Sequence, residues 1–480
     1  MLFNSNAFYI FLPIVFAVYW IAPRRYRWGV LLVSGYYFYM SAETRYIFLI
    51  LLTTIVSYST ALVIERVDGR RKKNAALLAA LFVTLGVLFF FKYFNFFAGS
   101  AAALLKRFSM ELSDVTLELV LPVGISFYTF QSLGYVIDVY RGKTKACLHF
   151  GKYAAFVAFF PLMLAGPIER ADHLLPQIDK EHSFNYERAV YGAKLIAWGY
   201  FKKLAVTDVA STLVDTVYGS VDSFTGSALA AATVLYAFQV YCDFSGYSDI
   251  ARGVANLLDI DLVNNFKSPY FASSIKEFWS RWHISLSTWF RDYIYFPLGG
   301  SRKGELRTGV NLMAVFMVSG LWHGAGWTYV LWGAVHGLAR IIERGLSRIF
   351  HPKKERGVIR ILLTFAFVTF AWILFRAETV ADAGYVITHL FEGISNPVAY
   401  LSAGIESLSS AGLISGVDLK LCVLWIALLL FHDFIELKQD FWAWLSKYRR
   451  PVRYAAYFAL LFIVLYSRKL GEYSFVYFQF

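Results

Sequence analysis

The stretch Thr308–Ala339, TGVNLMAVFMVSGLWHGAGWTYVLWGAVHGLA, contains no Asp, Glu, Lys or Arg. A bilayer crossing needs ~20 mostly apolar residues, so this run is too long for one ordinary span. It is also short for two spans with a proper loop between them. Gly324 and Gly326, on either side of Ala325, favour a break in the helix. His323 stands directly before that break, between Trp322 and Gly324. From the basic residue Arg307 to His323 is ~24 Å of helix at ~1.5 Å per residue, less than the ~30 Å hydrocarbon thickness. His323 is therefore expected inside the membrane, toward its outer half. An ionisable side chain at that depth is costly and calls for a functional hypothesis.

The rest of the chain has the same character. Of its 480 residues 58% are hydrophobic, 19% aromatic and only 16% charged, whereas soluble domains run nearer half apolar and a quarter charged. Further apolar runs include Met1–Pro23, Tyr46–Ile64, Ala75–Phe91, Leu119–Ile137, Tyr153–Ile168, Ser223–Cys242, Ile361–Phe375, Leu421–Phe431 and Tyr454–Ser467. They predict an all-α polytopic membrane protein of roughly ten to twelve transmembrane helices with some re-entrant or broken helices. The first run lacks a basic n-region and a small-residue cleavage site, and reads as a retained helix rather than a signal peptide.

The net charge of +13 bears first on orientation. Basic clusters at Arg24/Arg25/Arg27, Arg66 with Arg70–Lys73, Arg141/Lys143/Lys145, Arg302/Lys303/Arg307, Lys353/Lys354/Arg356/Arg360 and Arg449/Arg450/Arg453 lie between apolar runs. Short basic loops stay in the cytoplasm, which places the N-terminus outside. Because the clusters do not share one face, no nucleic-acid partner is expected. The three cysteines, Cys147, Cys242 and Cys422, are far apart, so neither a disulfide framework nor a CxxC redox site is indicated.

No linker or low-complexity segment divides the chain, which reads as a single membrane domain over 1–480. Scaffold helices are expected over 1–150 and 341–480, with a catalytic core over 151–340. From Pro161 to Gly337 the apolar runs are interrupted by Gly, Pro, Asp, Arg and His. Such interruptions are tolerated at membrane depth only inside protein or beside a watery cavity. The stretch Ala377–Leu419, rich in Gly, Ser and Ala, reads as an outside segment.

Within the core, His323 has two readings: an interfacial Trp-His turn, or a buried imidazole acting as general base, because its ordinary pKa lies near operating pH. His283 falls in Phe278–Ser285, inside an aromatic, helix-like stretch from about Ile275 to Ile294 that an in-plane interfacial helix would also explain. Converging on one cavity, the two histidines could orient a substrate or polarise a carbonyl. In Tyr241–Asp249, Asp243, Ser245, Ser248 and Asp249 could orient the histidines or cap a helix. His336 reads equally as a packing residue and as a catalytic one. Pro161, Gly166, Pro167, Glu169 and Arg170 read as a kinked span end. No HExxH or Cys/His ligand spacing supports a metal, and no P-loop, GxSxG or dinucleotide fingerprint occurs.

The segments Leu121–Gln131, Ala165–Ile168, Tyr241–Asp249, Phe278–Leu286, Tyr295–Gly300, Leu321–Trp327 and Trp372–Arg376, with Met1–Asn6 and Tyr477–Phe480, resemble the membrane-bound O-acyltransferase family. The likeness is to its bacterial branch concerned with alginate O-acetylation, and it covers nearly the whole chain in order. The resemblance implies a funnel of helices around a buried histidine site. His323 matches the family's near-invariant histidine and His283 a second active-site position, with Arg281, Trp282, Trp322, Asp243 and Ser245 lining the cavity or supporting the pair. It further implies acetyl-CoA as acyl donor with no tightly bound cofactor, and an exported, alginate-like polysaccharide as acceptor. A periplasmic or extracellular partner acetyltransferase and residence in the bacterial plasma (inner) membrane, among its lipid, are also implied. The alternatives are acyl or D-alanyl transfer to another cell-wall polymer, and a transporter with a histidine proton relay.

Overall fold

A computed structural model describes residues 1–110, 116–117, 120–350, 357–413 and 417–468. The basic residues Lys353, Lys354 and Arg356, Leu119 and the Tyr477–Phe480 motif lie outside the described residues. Helices and turns, with no strand, make up the described residues. That is the solution lipid demands of a spanning chain, because a helix satisfies its own backbone N–H and C=O groups. Among the described residues four helical segments are long and apolar enough to cross a membrane: Thr44–Arg66, Arg70–Lys106, Gly226–Leu257 and Val358–Arg376. This is fewer than the ten to twelve transmembrane helices expected from the sequence, because several of the apolar runs form shorter or divided helices. Tyr153–Ile168, for example, is helical only to Val157 and then turns through buried Phe159–Ala165.

The chain divides into two compact units, Met1–Ile196 with Ile250–Val263, and Ala197–Asp249 with Asn264–Phe480. The first contains helices α1 (Asn6–Ile21), α2 (Arg27–Met40), α3 (Ile47–Arg66), α4 (Arg70–Leu88), α5 (Phe94–Lys106), α6 (Ile125–Tyr140), α7 (Phe150–Val157) and α8 (Ala171–Asp179). It also holds most of α9 (Tyr186–Tyr200). Helix α1 starts where Ser5 accepts from the Phe8 N–H, a side-chain N-cap. The kinked segment read around Glu169 is held by that residue. Its buried carboxylate accepts from the Val263 N–H at 2.6 Å and pairs with His173 at 2.7 Å.

The second unit carries α10 (Asp208–Tyr218), most of α11 (Gly226–Leu257), α12 (Ile275–Arg281), α13 (Ile284–Phe290), α14 (Glu305–His323) and α15 (Trp327–Phe350). Beyond them come α16 (Val358–Arg376), α17 (Val380–His389), α18 (Pro397–Ser410), α19 (Val417–Glu436), α20 (Phe441–Ser446) and α21 (Arg450–Ser467). The run that opened the sequence reading is broken where its glycines fall: α14 ends at His323, and α15 begins at Trp327 after Gly324-Ala325-Gly326. The two helices then pack back to back as a hairpin. Glycines make that approach possible, since a Cβ on Gly333 would lie 2.2 Å from the Phe316 carbonyl oxygen and one on Gly320 would lie 2.1 Å from that of Tyr329. Helices α12 and α16 pack against α15.

Candidate active site

The stretch from Ile275 to Ile294 is not the continuous helix its composition suggests. Two seven-residue helices, α12 and α13, are separated at Trp282-His283 and followed by a π-helical turn, Arg291–Tyr295. His283 sits at the break with φ +42°, in the left-handed region that a branched or bulky side chain seldom adopts. Tertiary hydrogen bonds hold it there. The Ile284 N–H donates to the Asn265 carbonyl at 3.0 Å, the Ser285 N–H to Asn265 Oδ1 at 3.1 Å, and the Lys267 N–H to the Arg281 carbonyl at 3.0 Å. Local strain that the surroundings over-determine is a mark of functional positions. His283 is only 1% exposed, which a helix lying in the membrane surface would not produce.

The break turns the His283 ring toward His323. The two ring centroids are 6.3 Å apart at 57°. Trp322 lies edge-on to both rings, at 6.0 Å from His283 and 5.0 Å from His323. Phe244 of α11 closes the His283 side at 4.6 Å, while Trp332 and Phe375 close the His323 side at 5.3 and 5.2 Å. Burial in this aromatic box pulls the His283 pKa down to about 3, so its imidazole is neutral at physiological pH.

The other sequence candidates have distinct places. Arg281 spends its guanidinium on structure, donating to Glu277 Oε1 at 2.7 Å and to the Ser268 carbonyl at 3.2 Å, and so secures the loop beside His283. Trp282 is buried against Phe266, Phe278 and Trp372. Asp243 accepts from Lys203 at 2.9 Å, and Asp249 from Lys202 at 2.7 Å. Both carboxylates thus have lysine partners on the π-helical turn Phe201–Thr207. Ser245 is buried on α11, and its hydroxyl has no hydrogen-bond partner among the described residues. Among the described residues no three His, Cys, Asp or Glu side chains group as metal ligands.

A feature that the sequence reading missed is lined by chain neighbours of the histidines. A cavity of about 530 Å³ is walled by Trp279, Ile284, Leu312, Val315 and Phe316, and Lys276, Arg291, Arg340 and Arg344 also line it. Ile284 directly follows His283, and the lining residue Ser319 lies one helical turn before His323 on α14. The arginines have carboxylate neighbours, Arg291 with Asp292, Arg340 with Glu343 and Arg344 with Glu305. The four cations come from α12, the π-turn and α15, so only tertiary structure reveals the cluster. An apolar cleft with a cationic lining suits a ligand that has both apolar and anionic parts.

Comparison with known proteins bears on that chemistry. Residues 144–379 match the model of the membrane-bound O-acyltransferase family. A probable alginate O-acetylase, AlgI, of Pseudomonas putida is 39% identical over 393 residues, covering 82% of this chain and 80% of the relative. The chain belongs to the membrane-bound O-acyltransferase family. A peptidoglycan O-acetyltransferase of Helicobacter pylori is 34% identical over 422 residues, covering 80% of this chain and 78% of the relative. A teichoic acid D-alanyltransferase of Streptococcus thermophilus is 28% identical over 285 residues, covering 53% of this chain and 68% of the relative. This membrane-bound O-acyltransferase carries both histidines, the lysine–aspartate pairs and the cationic cavity within the family-matched residues.

Proposed function

We propose that the enzyme takes an acetyl group from cytoplasmic acetyl-CoA and moves it outward for O-acetylation of an exported, alginate-like polysaccharide. A periplasmic or extracellular partner acetyltransferase completes the transfer. The observation that carries the donor assignment is the cavity beside the two histidines. Its cations suit the phosphates of coenzyme A, its apolar wall suits the pantetheine arm, and its lining residues Ile284 and Ser319 neighbour His283 and His323 along the chain, which supports a thioester held toward the histidines. The positive-inside pattern supports a bacterial inner-membrane protein with its N-terminus outside and this cationic cavity toward the cytoplasm.

In this reading His323 is the general base. It takes the proton of the acceptor hydroxyl as that oxygen attacks the acetyl carbonyl. His283, kept neutral by burial, orients or polarises the carbonyl through an N–H rather than as an imidazolium. The choice of acetyl over D-alanyl follows the relatives, because the alginate and peptidoglycan acetylases match more of the chain at higher identity than the D-alanyltransferase. The test supplies inverted membrane vesicles with acetyl-CoA labelled in the acetyl group. Label should enter an O-acetyl product with wild-type protein and not with His323→Ala present at equal level. Failure to consume acetyl-CoA, with transfer from an acylated carrier protein instead, would overturn the donor assignment.

A further inference from the structure

His336 is a buried histidine outside the pair. It lies on α15, is 0% exposed and packs among Phe278, Phe316 and Phe367. A phenylalanine would fill that place without burying any polar atom. The Trp279 indole donates to His336 Nδ1 at 3.3 Å. Indole can only donate, so Nδ1 is the acceptor and the imidazole proton sits on Nε2. Among the described residues no atom accepts from His336 Nε2. The same holds for Nε1 of Trp332, also 0% exposed and one turn earlier on the same face of α15. Two N–H donors are thus buried side by side, with ring centroids 4.9 Å apart, and leaving such donors unmatched is unfavourable.

Their position gives the pair a use. Trp279 lines the cationic cavity, His336 is 5.2 Å from Trp279, Trp332 is 4.9 Å from His336, and His323 is 5.3 Å from Trp332. Ring contacts thus link the two donors to the cavity wall through Trp279 and to His323 through Trp332. We propose that His336 Nε2–H and Trp332 Nε1–H bind the carbonyl oxygen of the acyl group and stabilise its negative charge during transfer. This rests on the thioester-donor reading above. The acceptor O–H bond breaks with its proton going to His323, and the acceptor oxygen bonds to the carbonyl carbon. The carbonyl π electrons move onto oxygen, where the two N–H groups hold them. Re-forming C=O breaks the C–S bond, and the leaving thiolate takes the proton back from His323. Fixed donors aimed at developing charge are a large source of rate acceleration.

The test measures thiol release from acetyl-CoA by the full-length enzyme in reconstituted membranes. Trp332→Phe, which keeps a ring and removes the donor, and His336→Phe should each lower kcat about 10²-fold, with KM for acetyl-CoA changed less than about threefold. His336→Gln should recover kcat to within about tenfold of wild type, since its amide can accept from Trp279 and donate onward. If His336→Phe does not accumulate, Trp332→Phe decides. Wild-type kcat in Trp332→Phe, or His336→Gln as impaired as a folded His336→Phe, would overturn the inference while leaving the donor reading intact. A wild-type enzyme that releases no thiol would remove the donor reading and this inference with it.

Discussion

His283 and His323 reach each other from two helix breaks of different origin, their rings 6.3 Å apart. His323 is the last residue of a helix stopped by Gly324-Ala325-Gly326, so its break is local. His283 stands in a left-handed conformation imposed by Asn265, so its break is tertiary. Two unrelated breaks thus deliver two imidazoles, His283 neutral through burial, into one aromatic box.

The two positions should respond differently to substitution. His323→Ala removes the proposed base and should abolish O-acetylation while the protein still reaches the membrane. Asparagine tolerates the left-handed region better than most residues, so His283→Asn should fold normally. Its kcat should fall about 10²-fold through loss of a positioned polar group. Because burial keeps His283 neutral down to about pH 3, the variant should leave any titration of the rate between pH 5 and 8 in place. Rate profiles against pH for wild type and His283→Asn check this, and disappearance of such a titration in the variant would contradict it.

The cationic cavity predicts the opposite kinetic signature. Arg340→Ala or Lys276→Ala should raise KM for acetyl-CoA about tenfold or more with kcat little changed, since a hydrogen bond to a charged group is worth about 1.5–3 kcal/mol. The effect should shrink as salt is raised for Lys276, which is exposed, and less for Arg340, whose side chain is only 14% exposed. Saturation curves at two ionic strengths provide the measurement.

How much of this was legible in the sequence depends on whether a feature is local. The hairpin break could be read because glycines mark it, and the α-helical membrane class because apolar runs recur. The split at His283 could not, since neither glycine nor proline flags it and the hydrogen bonds that impose it come from Asn265. Asp243 and Asp249 looked available to orient the histidines. Their lysine partners at 203 and 202 are adjacent only through the packing of α11 against a π-turn. The cavity cations were hidden for the same reason, each being an ordinary basic residue until the helices assemble.

The hairpin's glycines differ in what they do. A Cβ on Gly333 meets the Phe316 carbonyl oxygen at 2.2 Å, whereas one on Gly345, farther along α15, meets nothing within 4 Å. Gly333→Ala should therefore force the helices apart, at about 1–3 kcal/mol by overpacking. It should also shift Trp332 and His336 with them. Gly345→Ala should be neutral or stabilising by up to about 1 kcal/mol through helix propensity. Thermal stability in detergent, measured on both, separates close packing from backbone entropy.

In the first unit, the hydrogen bond to the Glu169 carboxylate raises the His173 pKa. A raised histidine pKa means that the charged pair's stabilisation is full below about pH 6.5. It is lost as pH rises through the raised value. The melting-temperature advantage of wild type over His173→Gln should accordingly be greatest in mild acid and fade toward alkaline pH. The difference should be small throughout, because His173 is partly solvent-exposed.

Lys203 offers a way to decide what Asp243 does. Its ammonium, 1% exposed, bonds Asp243 at 2.9 Å and Asp208 at 3.0 Å. Replacing it by Met strands carboxylates in a dry interior, a change that typically costs about 3–5 kcal/mol. Lys203→Met alone should therefore fail to accumulate in the membrane. Neutralising the partners should reverse this, because the penalty belongs to the uncompensated charges rather than to the missing lysine. The triple variant Lys203→Met, Asp208→Asn, Asp243→Asn should regain much of the lost stability, a coupling that the single variants would not reveal by addition. If Asp243 serves only this pairing, the triple variant should keep kcat within about threefold of wild type. A stable triple variant with a collapsed kcat would instead tie the Asp243 charge to the histidine pair, and abundance measured beside kcat distinguishes the two.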